Sequence, residues 1–238
     1  MDKTLTVPCP LLHEVMETRQ SHHPHGKRVA LTRGIKPWLA NALHETVVKV
    51  RPRLVLEIGM CHGISSLAIL SGLEKAWGAE SPEGRLISID PRQTEEYGRV
   101  GVEHVKLAGY EGRHTLLEEP DWRALPRLVE QGARPDLIYI DGNHAVDYVM
   151  LDAFYAHRLL PVGGVMGLND CAMRSVTLTA RWLVSHRDYQ EIDVGLSKDY
   201  GHDPLTWVSH RVQGRNSADR YFRKLSETEH GYDGHLRW

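Results

Sequence analysis

The sequence predicts an α/β fold, built on one mostly parallel, doubly wound sheet with helices on both faces. Three observations predict it. Short apolar runs alternate with helix-length amphipathic stretches along most of the chain. Four of those runs end at or beside an acidic residue, at Glu57, Asp90, Asp141 and Asp170, and ligands of such sheets bind beyond the carboxyl ends of the strands. The length of 238 residues, 41% apolar and 25% charged, suits one α/β domain with a terminal extension.

Taken in order, residues 1–34 read as an irregular or partly helical cap. Over 36–50, Trp38, Leu39, Ala42, Leu43, Val47 and Val50 recur at helical spacing, and Pro52 ends that helix. Residues 54–58 form a short apolar run closed by Gly59, the pattern of a buried parallel strand. Residues 64–77 read as a helix and 85–90 as the second strand. The spacing predicts a weaker third strand over 102–107 and a short helix over 113–118. Residues 135–141 are a strong fourth strand, 146–160 a helix, 164–168 a fifth strand and 171–186 a helix. Strands are expected over 189–194 and 205–212. The domain plan is a cap or lid over 1–34, the α/β domain over 35–215 and a tail over 216–238. The tail carries Tyr221, Phe222, Tyr232 and Trp238 among charges, and packing on the domain is its expected role.

Composition narrows the function. The net charge of -2 and a pI near 6.7 give no global basic field, so no nucleic acid and no membrane surface is expected as a partner. No apolar run approaches the ~20 residues that cross a bilayer, and the first thirty residues lack the apolar core of a signal peptide. Three scattered cysteines, Cys9, Cys61 and Cys171, make no disulfide framework. A cytoplasmic setting follows as an expectation. His22, His23 and His25 cluster around Pro24 and Gly26, which reads as a solvated turn before it reads as a metal site.

The turn after the first strand, Gly59-Met60-Cys61-His62-Gly63-Ile64-Ser65, is glycine-rich but holds Cys61 where a pyrophosphate-binding loop needs glycine. A ligand with a carboxylate, an amine and a ribose fits better. The glycines allow close approach, and the helix N-terminus with Ser65 and Ser66 offers donors to an anion. Asp90, ending the second strand, has the acceptor capacity for both hydroxyls of a ribose. His62 reads as a packing residue of this loop, and the cysteines as small buried residues.

Further along, Asp141-Gly142-Asn143-His144 closes the fourth strand and Asn169-Asp170 the fifth. Neighbouring parallel strands bring these carboxylates together, and without a proton or a cation they repel. A hard ion such as Mg²⁺ prefers oxygen ligands of this kind. The plainer alternatives are that Asp141 holds its loop, Asp170 caps the next helix and His144 is a loop histidine.

Leu56-Glu57-Ile58-Gly59-x-x-x-Gly63-x-Ser65, followed by Ile87-Ser88-Ile89-Asp90, resembles the first two motifs of class I S-adenosylmethionine (SAM)-dependent methyltransferases. Asp-Gly-x-His at 141–144, Asp152, Pro161-Val162-Gly163-Gly164 and Asn169-Asp170 resemble a subfamily that includes metal-dependent O-methyltransferases of sugars and other natural products. The resemblance covers about residues 30–170. It implies a Rossmann-like sheet of about seven strands, and SAM held by Glu57, Gly59, Gly63, Ser65, Asp90 and Asp141. It further implies Mg²⁺ held by Asp141 and Asp170, with Asn169 as a third ligand, and His144 as general base. Asn143 departs from the acidic pattern of catechol-type relatives and puts that substrate class in doubt. The expected partner is a small hydroxylated acceptor, with a homo-oligomer left open. Thr32-Arg33-Gly34 stands where look-alike enzymes close over the cofactor. The other readings are N- or C-methylation without metal, a SAM-using enzyme that transfers no methyl group, and a SAM- or nucleoside-binding module without catalysis.

Overall fold

A computed structural model describes residues 4–196 and 219–227. Helix α1 (Pro10–Thr18) leads into a hairpin of β1 (Gln20–His22) and β2 (Arg28–Ala30). There follow α2 (Pro37–Val50), β3 (Leu54–Ile58), α3 (Ile64–Trp77), β4 (Arg85–Ile89), α4 (Val100–Leu107), β5 (His114–Leu117) and α5 (Asp121–Glu130). The second half holds β6 (Leu137–Ile140), α6 (Val146–Leu159), β7 (Val165–Leu168), α7 (Arg174–His186), β8 (Tyr189–Ile192) and β9 (Arg220–Lys224).

Among the described residues the main sheet has seven strands in the order β5-β4-β3-β6-β7-β9-β8. The five from β5 to β7 are parallel, and β9 runs antiparallel to both β7 and β8. The order reverses between β3 and β4 on one side and β6 on the other, which opens a crevice at the strand ends there.

Alternation along the strands builds one core on each face. Val55, Leu137, Tyr139, Val165 and Tyr221 join α1, α2 and α3 on one side. Leu56, Ile58, Ile138, Ile140, Met166 and Phe222 join α5, α6 and α7 on the other. No helix among the described residues is long and apolar enough to cross a membrane.

Four expectations are corrected. Residues 102–107 lie in helix α4, not a strand. The valines suggested a strand, but Val100, Gly101, His104 and Val105 are the buried residues, a helical and not an alternating spacing. Residues 113–118 hold strand β5, whose single Leu116-Leu117 pair at the sheet edge leaves little apolar signal. Helix α5 was not foreseen; Pro126 inside it masks a strongly amphipathic stretch. The tail segment contributes β9, a strand inside the sheet. The strand expected over 205–212, and Tyr232 and Trp238, lie outside the described residues.

Charges hid β9 because two of them are used internally. Arg220 forms a double hydrogen bond with Glu191 of β8, at 2.9 and 2.6 Å. Lys224 is fully buried; its Nζ donates to the carbonyls of His157 (2.8 Å) and Leu160 (2.9 Å) and to Glu227 (2.6 Å). It thus caps the carboxyl end of α6, whose last carbonyls have no helical partner. Lys224→Met keeps the apolar stem and strands those acceptors, so it should cost about 2–3 kcal/mol. For a chain of this size that lowers Tm by roughly 5–10 °C. A thermal melt within about 2 °C of wild type would show that the cap contributes nothing.

Candidate active site

Two cavities of about 400 and 380 Å³ lie at the carboxyl ends of β3, β4, β6 and β7. They share Arg33, Gly59, Cys61, Asp141, Gly142 and His144, so they are two lobes of one cleft. The loop between β3 and α3 divides them, and its shape follows from three contacts.

The first is beneath it. Glu57 is fully buried, and its carboxylate accepts hydrogen bonds from the hydroxyls of Ser65, Ser66 and Ser88, each at 2.6 Å. Burial raises its pKa while these hydroxyls oppose the rise. Glu57 therefore faces the interior and holds the loop, instead of reaching a ligand, and the hydroxyl of Ser65 is spent on it.

The second contact is Asp90. One carboxylate oxygen accepts the N–H groups of Met60 (3.1 Å) and Cys61 (2.7 Å) and the Gln93 side chain (3.0 Å); the other accepts the Arg92 N–H (2.9 Å). Asp90 lines the second lobe, so it folds the loop and offers its remaining acceptor capacity to the cleft. The third contact is Gly59, at φ +92°. A Cβ there would stand 2.2 Å from the carbonyl oxygen of Asp141. Glycine is required for the strand ends to cross, whereas the sequence suggested room for a ligand.

The N-terminal hairpin is fastened to the same loop by histidines. His62 sits between the hydroxyls of Ser21 (2.9 Å at Nδ1) and Thr32 (3.1 Å at Nε2). His104 of α4 accepts the His22 N–H at Nε2 (2.9 Å), which leaves Nδ1–H to donate to the carbonyl of His62 (2.7 Å). Residues 33–36 continue from this clasp and form the rim of the first lobe. Of the His22, His23 and His25 cluster, His22 lies 3.2 Å from Glu14 and meets His104 edge-on.

The first lobe brings together Asp141, His144, Asn169 and Asp170. His144 Nε2 lies 3.8 Å from Asp141 Oδ1. Ser175 of α7 fixes the His144 backbone by donating to its carbonyl at 2.6 Å. Burial lowers the His144 pKa, with the Asp170 charge pulling the other way. Burial also drives Asp141 well above the carboxylate range, reinforced by the charges of Asp219, Asp170 and Glu57. Asp170 is raised by burial and lowered by His144 and Lys36. Its backbone is left-handed, φ +53°, a conformation that Asp tolerates better than most residues.

Two carboxylates and an amide, short of cationic partners, form an oxygen donor set that suits a small divalent cation. Among the described residues no three His, Cys, Asp or Glu side chains are gathered for a metal; Asn169 lines the lobe beside Asp141 and Asp170. Cys61 lines the cleft, but burial pushes its thiol up to about 12, which removes it as a nucleophile near neutral pH. Cys171 is buried and donates to the Leu168 carbonyl. The second lobe is lined by Ile89, Pro91, Tyr97, Trp122 and Tyr148 around Asp90.

Sequence reasoning missed one residue. Asp219, 1% exposed, accepts the hydroxyl of Tyr139 (2.7 Å) and the side-chain amide of Asn169 (2.8 Å). No spacing pattern connects it to either.

Residues 56–171 match the methyltransferase-domain family. The chain is 31% identical over 121 residues to the O-methyltransferase hkm8 of Aspergillus hancockii, covering 50% of this chain and 43% of that protein. It is 27% identical over 104 residues to the protein-L-isoaspartate O-methyltransferase of Chromohalobacter salexigens, covering 44% and 42%. The matches thus span less than half the length of these curated relatives. In structure the chain is similar to the O-methyltransferase TomG of Streptomyces achromogenes, solved with SAM. There the TM-score is 0.63 at 17% identity, over 81% of this chain and 82% of that one.

The histidine clasp has a pH dependence. Burial lowers His104 to about 4, so the folded protein favours its neutral form. A depressed histidine contributes stability that is present above its unfolded pKa of ~6.5 and is lost as pH falls toward the folded value. Between pH 6.5 and 4, His104→Gln should flatten the acid loss of stability by about 1.4 kcal/mol per pH unit. Denaturant unfolding at stepped pH reads this slope, and an unchanged slope would place the proton elsewhere.

Proposed function

We propose that the chain is a class I SAM-dependent methyltransferase, a reading supported by its match to the methyltransferase-domain family over residues 56–171, and that it methylates a hydroxyl of a small metabolite with the help of a divalent cation. The observation that carries this reading is the convergence of Asp141, His144, Asn169 and Asp170 on one lobe, directly across the glycine loop from Asp90. The second lobe, with an acid among aromatic and apolar side chains, suits the adenosine part of SAM. The loop and the rim at Arg33 and Lys36 suit its amino-acid part, since cations and a helix N-terminus both attract a carboxylate.

A sulfonium methyl group is already activated, so the protein's tasks are to align an acceptor oxygen in line with it and to remove a proton. Asp141, Asp170 and the Asn169 amide would hold Mg²⁺, which when bound lowers the pKa of an acceptor hydroxyl. His144 stands beside Asp141 with its Nε2 buried and without a hydrogen-bond partner among the described residues. Its lowered pKa keeps it unprotonated near neutral pH, ready to take the acceptor proton. In this reading the acceptor is a small hydroxylated molecule, which a lobe of about 400 Å³ can admit. The first test is incubation of the protein with SAM, Mg²⁺ and a metabolite extract of its host, read by mass spectrometry. One product should gain a methyl group and should vanish with EDTA and with Asp141→Ala; methylation that survives both would remove the cation.

The base has its own test. His144→Ala should lower kcat by about 10²–10⁴-fold and leave SAM affinity nearly unchanged. Activity of the wild type should fall as pH drops through a value below ~6.5, because protonation blocks the base, and the variant should lack that limb. A variant that keeps most of its kcat would assign proton removal to another group.

A further inference from the structure

Asn169 can serve the cleft in two opposite ways. Its side chain is an amide, with an acceptor at one end and donors at the other, and rotating it by half a turn exchanges them. Only with its oxygen facing the cleft does it add to the acceptor set of Asp141 and Asp170. With its NH₂ facing the cleft it would repel a cation. Nothing in Asn169 itself decides between the two.

The decision lies behind it. Asn169 is 4% exposed, and its Nδ2 donates at 2.8 Å to Oδ1 of Asp219. The other oxygen of Asp219, Oδ2, accepts the hydroxyl of Tyr139 at 2.7 Å. Tyr139 is itself fully buried at the centre of β6, and its ring stacks on Tyr221 of β9. In its ionised form, which the hydrogen bonds of Tyr139, Asn169 and Tyr221 favour against its burial, a carboxylate placed in this way offers acceptors to its neighbours and donors to none. The Asn169 amide must therefore turn its NH₂ toward Asp219 and its oxygen away.

We infer that Asp219, held by Tyr139, is a positioning residue that sets the Asn169 oxygen toward the cleft beside Asp141 and Asp170. The inference rests on the proposed reading of Asn169 as a ligand in that lobe. It also gives the antiparallel strand β9 a part in the site. Asp219 immediately precedes β9, and β9 pairs with β7, which ends one residue before Asn169.

The isosteric change Asp219→Asn separates orientation from folding. The Tyr139 hydroxyl still needs an acceptor, so the new amide turns its oxygen to Tyr139 and its NH₂ to Asn169. Asn169 then flips to accept, and its own NH₂ points into the cleft. Tyr139 and Asn169 both keep a partner, and Tyr221, which also bonds Asp219, still meets a polar side chain of the same shape, so the variant should fold, with a melt close to wild type. Adding Asn169→Asp repairs the pattern, because a carboxylate accepts from the new amide and still shows an oxygen to the cleft.

Two measurements read this. Free Mn²⁺ titrated by electron paramagnetic resonance, with S-adenosylhomocysteine present, should show affinity reduced by about 10–100-fold in Asp219→Asn, the range for residues that orient metal ligands. The double variant Asn169→Asp/Asp219→Asn should recover it. Proton exchange of the Asn169 side-chain amide, followed by NMR, should be slow in wild type and fast in Asp219→Asn. Unchanged exchange in Asp219→Asn would overturn the positioning role, as would Mn²⁺ affinity equal to wild type. A wild-type protein that binds no Mn²⁺ but shows the exchange difference would remove the cation and leave the positioning intact.

Discussion

The site depends first on one buried carboxylate. Glu57 sits inside the sheet with three serine hydroxyls around it, two from the start of α3 and one from β4. A buried carboxylate without partners would cost several kcal/mol, so these hydroxyls are obligatory companions. They fix how the first turn of α3 meets β3 and β4, and hence the course of the loop between. Asp90 then gathers the loop's N–H groups from the side, and Gly59 lets it pass the Asp141 backbone. Two acids that the sequence offered as ligand contacts are thus partly or wholly architectural. The cleft exists because they are satisfied from within.

The opposite wall follows another rule. Asp141, Asp170 and Asp219 face one another with few cationic neighbours, and burial raises all three, Asp219 to about 7. Tyrosine and asparagine donors relieve Asp219, whereas Asp141 and Asp170 keep acceptor capacity for something else. Hydrogen bonds relieve Asp219 and the charges of His144 and Lys36 relieve Asp170, whereas the charged neighbours of Asp141 raise it further.

Most of the sheet could be read from the sequence because central parallel strands are buried on both faces and appear as unbroken apolar runs, as at Leu54–Ile58 and Leu137–Ile140. The edge strand His114–Leu117 and the helix Val100–Leu107 exchanged identities, since the valines of the helix speak for strand and the strand has only two leucines. Of the strand-end acids, Asp90, Asp141 and Asp170 line the cleft, whereas Glu57 lies buried beneath it. Asp219 could not be found at all. Its contacts with Tyr139 and Asn169 span 80 and 50 residues, and β9 hides its core residues among charges, two of which, Arg220 and Lys224, are met inside the fold. Local pattern carries no trace of a partner that tertiary structure supplies.

Charge movement ties the two walls together on the proposed reaction. Transfer of a methyl group from a sulfonium to an oxygen, with loss of the acceptor proton to His144, moves one positive charge from sulfur to the imidazole. Asp170 beside that imidazole, and Asp141 to the extent that the forming charge draws it into its ionised form, would stabilise it, and at short range in a cleft of reduced dielectric the gain is considerable. A divalent ion held by the same carboxylates would neutralise them and withdraw that support, while easing proton loss from the hydroxyl directly. The base and the ion therefore draw on one pair of acids, Asp141 and Asp170, and their contributions cannot add. Losing both should cost less than the sum of losing each, the behaviour of groups that share one task.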